Sequence, residues 1–296
     1  MKKTEFKRLA VFCIVSLLIL IITSPIRGGY IPISFLTGPQ QVNIVGFLIY
    51  FAITFYFLSK YGDIIRPYKI FLAMIIGISL LQLPATIILF DSTKGSRSGY
   101  IIHLSAILFA YISYKVKKKY RYIICVVCIL CGMWLSVCGE NYWNHKIDFG
   151  TFTGKLSEKE VYNLKFQTEE GDTLSIDDFK GQYVVIDCWY TYCGVCYKKF
   201  PKVQELYDKY KDSERVALYS IHSRIVDRKE NFKTGTNILK EEGYTFPSFS
   251  IDIDDPILNQ LGVDVYPTVL IFDKDSKLIF RGNIESAEKL IEKLGR

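Results

Sequence analysis

Acidic side chains are nearly missing from the first 140 residues, where Glu5, Asp63, Asp91 and Glu140 stand against 15 Lys and Arg. From residue 141 onward the balance turns, with 22 Lys and Arg against 26 Asp and Glu. The formal charge of +7 over 296 residues thus belongs to the first half. It marks no nucleic-acid surface, because basic side chains between apolar runs are those that flank membrane spans. Histidine is scarce, with three in all, and cysteine is sparse, with eight. Cys13, Cys125, Cys128, Cys131 and Cys138 lie in apolar stretches, and only Cys188, Cys193 and Cys196 lie in the polar half. This is no disulfide-stapled scaffold. A four-ligand zinc site on Cys193 and Cys196 would need two further Cys or His ligands, and the second half offers only Cys188, His145 and His222. No metal and no cofactor is expected.

What is abundant is uncharged, apolar sequence. Leu9–Ile26, Gly28–Ser59, Ile70–Phe90, Ser98–Tyr114 and Tyr122–Gly139 contain no charged residue. A membrane span needs about 20 mostly apolar residues. The second run is longer, but its start holds Gly28, Gly29, Pro32, Gly38 and Pro39, so the helix is placed at about 42–58 and the rest in an external loop. The expectation is a helical membrane domain of five spans over residues 1–140, in contact with the lipid bilayer. Basic clusters precede the first span, follow the second (Lys60, Arg66, Lys69) and follow the fourth (Lys115, Lys117, Lys118, Lys119, Arg121). The alternate connections are poorer in charge, which places the N-terminus in the cytoplasm and everything after the fifth span outside it. Thr23-Ser24-Pro25-Ile26-Arg27 makes a poor signal-peptide cleavage site, so the first span is read as retained. Cys125, Cys128 and Cys131 drift along one side of the fifth span and are read as packing residues.

The polar half reads as a linker over 141–160 and a mixed α/β domain over 161–296. A hairpin opens the domain at Tyr162–Gln167 and Thr173–Ile176. Tyr183–Cys188 is a nearly unbroken apolar run, the pattern of a central strand covered on both faces. A tight turn follows it, and then a helix at Lys198–Lys211. Cys193 and Cys196 sit where that helix begins, with two residues between them. The helix start offers free N–H groups and the positive dipole end, which favour a thiolate on the first cysteine. Such a thiolate attacks disulfides, and the second cysteine resolves the mixed disulfide. An extracytoplasmic compartment is also where disulfides form and need managing.

Four features in chain order carry a resemblance. They are Asp178-Phe179-Lys180-Gly181 after the hairpin, Trp189-x-x-x-Cys193-x-x-Cys196, Lys199-Phe200-Pro201, and Tyr266-Pro267-Thr268 leading into a strand. Together they resemble the thioredoxin-like domains of the TlpA/ResA type, which are extracytoplasmic thiol-disulfide oxidoreductases. The helix and strand at Val226–Ile251 resemble that family's central insertion. The resemblance implies an enzyme that exchanges disulfides with protein thiols, acting as a reductant fed by an electron donor that the sequence does not name. It implies Cys193 as nucleophile, Cys196 as resolving thiol, and Pro267 as a cis-proline beside the pair. It also implies Tyr266, Trp189 and Tyr192 shaping the substrate surface, and Asp187 as a buried acid assisting proton transfer to the resolving cysteine. Val195 departs from the proline common before the second cysteine. A peroxidase would need Pro-x-x-x-Thr/Ser-x-x-Cys, and that pattern is not met around Cys193. The alternative is a membrane redox sensor or partner-binding protein built on the same domain.

Overall fold

In the computed structural model, residues 3–27, 39–90, 93 and 96–295 are described. They divide into two compact units, Met1–Asn144 and His145–Arg296. The connections read as external loops, 28–38 and the stretch around 91–95, lie largely outside the described residues.

The first unit is helical, with α1 (Lys3–Arg27), α2 (Pro39–Tyr61), α3 (Pro67–Ile88), α4 (Arg97–Lys115) and α5 (Lys118–Trp134). α1 packs on α3, and α2 packs on α4. Small residues permit the close crossings. A Cβ on Gly77 would stand 2.2 Å from the carbonyl oxygen of Cys13, and one on Gly132 would stand 1.9 Å from the Phe47 ring. Unlike a water-soluble bundle, the unit has apolar outer faces around its apolar core. Ser16, Asn43, Thr54, His103 and Ser113 are buried, while Ile14, Leu18, Ile22, Leu80, Leu83 and Ile87 are exposed. By length and composition, four helices among the described residues suffice to cross a membrane: Lys3–Ser24, Asn43–Tyr61, Pro67–Ile88 and Lys118–Phe149. α4 is less apolar than these. Ser98, His103, Ser105, Ser113 and its tyrosines do not break a charge-free run, but they lower its hydropathy.

The stretch 141–160 differs from the linker expected. Beyond a π-helical turn (Leu135–Gly139) it forms α6 (Glu140–Phe149) and then β1 (Lys155–Val161). β1 pairs antiparallel with β8 at one border of the sheet. Its Lys-Leu-Ser-Glu-Lys-Glu-Val sequence is that of a charged edge strand, which carries little hydrophobic signal.

The second unit is an eight-stranded mixed sheet in the order β1-β8-β7-β4-β5-β6-β2-β3. The strands are β2 (Lys165–Gln167), β3 (Thr173–Ser175), β4 (Tyr183–Trp189), β5 (Val216–Arg224), β6 (Ser248–Asp252), β7 (Thr268–Phe272) and β8 (Lys277–Gly282). β4 lies between parallel β5 and antiparallel β7, and its side chains are buried on both faces after Tyr183. On one face, α7 (Gly194–Tyr210) and α10 (Ile284–Leu294) complete a core of Val185, Trp189, Phe200, Val203, Leu206, Ile271 and Ile291. On the other, Phe166, Ile176, Val184, Ile186, Leu258 and Phe272 pack together. The expected insertion contains a 3-10 turn (Val226–Arg228) and the short α8 (Thr234–Glu241) rather than one long helix; α9 (Pro256–Gln260) follows β6. Phe200 is fully buried among the rings of Trp189, Tyr197, Tyr244 and Phe246. Phe200→Ala is therefore expected to cost about 3–5 kcal/mol of stability, measured by denaturant unfolding of this unit.

Candidate active site

The site forms where β4 ends and α7 begins. Cys193 is the N-cap residue of α7, and its sulfur accepts from the Cys196 backbone N–H at 3.1 Å. The two cysteines form a disulfide, with their Cα atoms 5.3 Å apart. Cys193 is 6% exposed and Cys196 fully buried, so an incoming sulfur meets Cys193 first. The N-cap position puts the Cys196 N–H and the positive end of the helix at that sulfur, which favours a thiolate there.

Trp189, the last residue of β4, supports the loop. It is fully buried, meets Phe200 edge-on at 5.0 Å, and donates from Nε1 to Ser220 Oγ at 3.4 Å. Tyr192 is 56% exposed, and the Arg228 guanidinium lies 5.0 Å from its ring centroid. Val195, between the cysteines, is also exposed. The Tyr266–Pro267 bond is cis. The register of β7 on β4 pairs Thr268 with Cys188, which carries Pro267 to the active-site end of β4. Tyr266 is pinned there by donation to Ser223 Oγ at 3.0 Å and by an edge contact with Tyr190 at 5.1 Å. Burial pushes its hydroxyl up to about 12.

Asp187 sits two residues before Trp189, so strand alternation turns it to the α7 side of the sheet. It is 2% exposed, and neither carboxylate oxygen has a hydrogen-bond partner. Burial, aided by the negative charge of Glu285, pushes its pKa up to about 8. A carboxyl so placed takes and releases a proton near neutral pH. Glu285 itself pairs with Lys199 of α7. Cys188 alternates to the opposite core, where burial pushes its thiol far up, and it is a packing residue.

Sequence reasoning missed the far wall of the loop. His222 of β5 bonds through Nε2 to Thr191 Oγ1 at 2.9 Å, and Tyr197 donates to the Thr191 carbonyl at 3.0 Å. In the sequence His222 figures only as a possible zinc ligand, and nothing local links it to Thr191.

A buried tryptophan, a dithiol at a helix N-terminus and a cis-proline on the neighbouring strand define a thioredoxin-fold dithiol-disulfide oxidoreductase. Residues 158–281 match the AhpC/TSA family. The chain is 29% identical over 180 residues to the thiol-disulfide oxidoreductase ResA of Bacillus thuringiensis, an overlap of 60% of this chain and 94% of that protein. It is 33% identical over 136 residues to the ResA of Bacillus cereus, covering 45% of this chain and 73% of the relative. A solved thioredoxin domain of a Bacteroides vulgatus thiol-disulfide oxidoreductase aligns with a TM-score of 0.41 at 20% identity, over 48% of this chain and 99% of that one. The chain belongs to the ResA family of thiol-disulfide oxidoreductases, and it is an enzyme of that class.

Proposed function

We propose that this protein is a membrane-anchored, extracytoplasmic oxidoreductase that reduces disulfides in other proteins through Cys193 and Cys196. The observation that carries the reading is the asymmetric burial of the pair at the α7 N-terminus, with an unpartnered Asp187 carboxyl buried on the preceding strand β4. In the reduced enzyme, the Cys193 thiolate attacks a substrate disulfide, forms a mixed disulfide and releases one substrate thiol. Asp187 in its ionised form, whose share rises as the pH approaches 8, then accepts the Cys196 proton. The Cys196 thiolate attacks the Cys193 sulfur, expelling the second substrate thiolate and leaving the Cys193–Cys196 disulfide. Two electrons pass to the substrate, and an electron donor must return them. Tyr266, Pro267 and Tyr192 shape the surface on which the substrate strand lies; Trp189, expected to share in it, is fully buried and supports the loop from beneath instead.

Four apolar helices with outward-facing aliphatic side chains support anchoring in the bilayer. α4 makes a fifth crossing, since its 19 residues span about 28 Å at 1.5 Å each, close to the hydrocarbon thickness. Five crossings with basic cytoplasmic connections leave the N-terminus inside and the oxidoreductase domain outside, in the periplasm of an envelope that has one. In intact cells, a membrane-impermeant maleimide applied after mild reduction is expected to label Cys193, and the protein is expected to sediment with membranes. Labelling that requires permeabilised cells would contradict this topology.

A further inference from the structure

His222 is an unusual residue to bury in a sheet. It is fully enclosed on β5, in register with Trp189 of β4, and its ring lies 4.7 Å from the Trp189 ring. α8 presses on it through Gly235, where a Cβ would come within 2.5 Å of the His222 Cβ. Enclosing two ring nitrogens is unfavourable unless they are used. Nε2 is used: it stands 2.9 Å from Thr191 Oγ1 and 3.8 Å from Glu230 Oε2. Nδ1 has no partner, which fits the tautomer with its proton on Nε2 and a bare lone pair on Nδ1. The charged and titratable groups facing the ring are Glu230 ahead of α8, Arg224 of β5 itself and, by way of Thr191, Tyr197 of α7. Burial drives His222 down to about 4 against the opposing influence of Glu230, so the ring is neutral at neutral pH.

Thr191 is held from the other side as well. Its carbonyl accepts from the hydroxyl of Tyr197, the residue that follows Cys196 in α7. One residue of the loop is thereby fastened to β5 by its side chain and to α7 by its backbone. We propose that His222 is a positioning residue for thiol-disulfide exchange, clamping through Thr191 the segment that presents Cys193 at the N-terminus of α7. The clamp rests on the reading of Cys193 and Cys196 as the exchanging pair. In the oxidised enzyme the disulfide itself ties Cys193 to the helix. In the reduced enzyme that tie is gone, and the Thr191 bonds hold Cys193 where the Cys196 N–H steadies its thiolate. Loosening the clamp therefore weakens the reduced form selectively. The Cys193 thiol becomes less acidic, and the pair's potential moves to more negative values.

The test uses full-length protein, with alkylation of reduced Cys193 by iodoacetamide followed by peptide mass spectrometry across pH. Thr191→Val is nearly isosteric and removes only the hydroxyl, so it probes the clamp without emptying the core; His222→Phe removes the other partner. Each is expected to slow alkylation at neutral pH about fivefold, the factor for a hydrogen bond of about 1 kcal/mol, with the pH midpoint moved upward. The double variant is expected to be no slower than either single one, since both remove one bond. Thr191→Ser and His222→Gln are expected to restore the profile. A Thr191→Val profile that matches the unmodified protein, or additive effects in the double variant, would overturn the clamp. Disulfide exchange that survives Cys193→Ser would overturn the reading beneath it, and the clamp with it; the cysteine variant tells the two failures apart.

Discussion

Cys196→Ser in the full-length protein is expected to turn the enzyme into a covalent trap. Cys193 keeps its place as N-cap of α7 and its backbone N–H partner, so attack on a substrate disulfide still proceeds. The resolving sulfur is gone, and the mixed disulfide persists. Cysteine-containing proteins should then co-migrate with the variant on non-reducing gels and separate on addition of dithiothreitol. Cys193→Ser should form no such adducts, and its exchange rate should fall by on the order of a hundredfold or more. A Cys196→Ser variant that binds the same partners without covalent adducts would favour the sensor or partner-binding alternative. The assignment of nucleophile and resolving thiol follows from burial: Cys193 touches solvent and Cys196 does not.

Asp187→Asn is expected to stabilise the oxidoreductase domain while slowing it. The carboxyl has a pKa of about 8 in the folded state, against an ordinary value of 3.8. Between these two values the unfolded chain is ionised and the folded chain is not. The folded state then binds the extra proton, and stability falls as pH rises through this window. The penalty grows by about 1.36 kcal/mol for each pH unit, reaching on the order of 4 kcal/mol at neutral pH. The amide has the same shape and also lacks partners, so the comparison isolates the charge. Hydrogen exchange of the β4 amides should show the Asn variant gaining protection over the parent as pH climbs from about 4 to about 8. Resolution of a mixed disulfide should lose its rise with pH near 8 in the same variant, because the proton acceptor for Cys196 is gone. A parent enzyme whose stability is flat across this window would place Asp187 in a wetter or better-bonded setting than its burial implies. More stability with less activity is the usual signature of a strained catalytic group.

What was legible in the sequence was mostly local. The apolar run of β4, the tight turn and the cysteine pair lie within one stretch, and their order alone places the thiols at a helix start. Pro267 is remote in sequence, and only the resemblance brought it to the cysteines; the β7–β4 register is what puts it there. The edge strand β1 was missed because its charged side chains conceal the alternation on which strand reading depends. α6 was read as linker because its polar and aromatic residues lack a helical apolar stripe. α4 passed as a span of the same kind as its neighbours because a charge-free run does not register serine, tyrosine and histidine. The wall formed by Thr191, His222 and Glu230 was not legible at all. Thr191 and His222 stand 31 residues apart, and they meet only because β5 pairs parallel to β4 with Trp189 opposite His222. Buried polar contacts of this kind depend on register, which short sequence patterns do not encode.

The most direct measurement is the reduction potential of the Cys193–Cys196 pair in the full-length protein. It can be made by equilibration with a thiol-disulfide buffer, with the two cysteines quantified by differential alkylation and mass spectrometry so that the six free cysteines do not interfere. A reductant of protein disulfides requires a value near or below that of thioredoxin, about −270 mV, and that is the expected result. A value near about −120 mV, that of a strong oxidant, would contradict it and assign the same site to making disulfides instead.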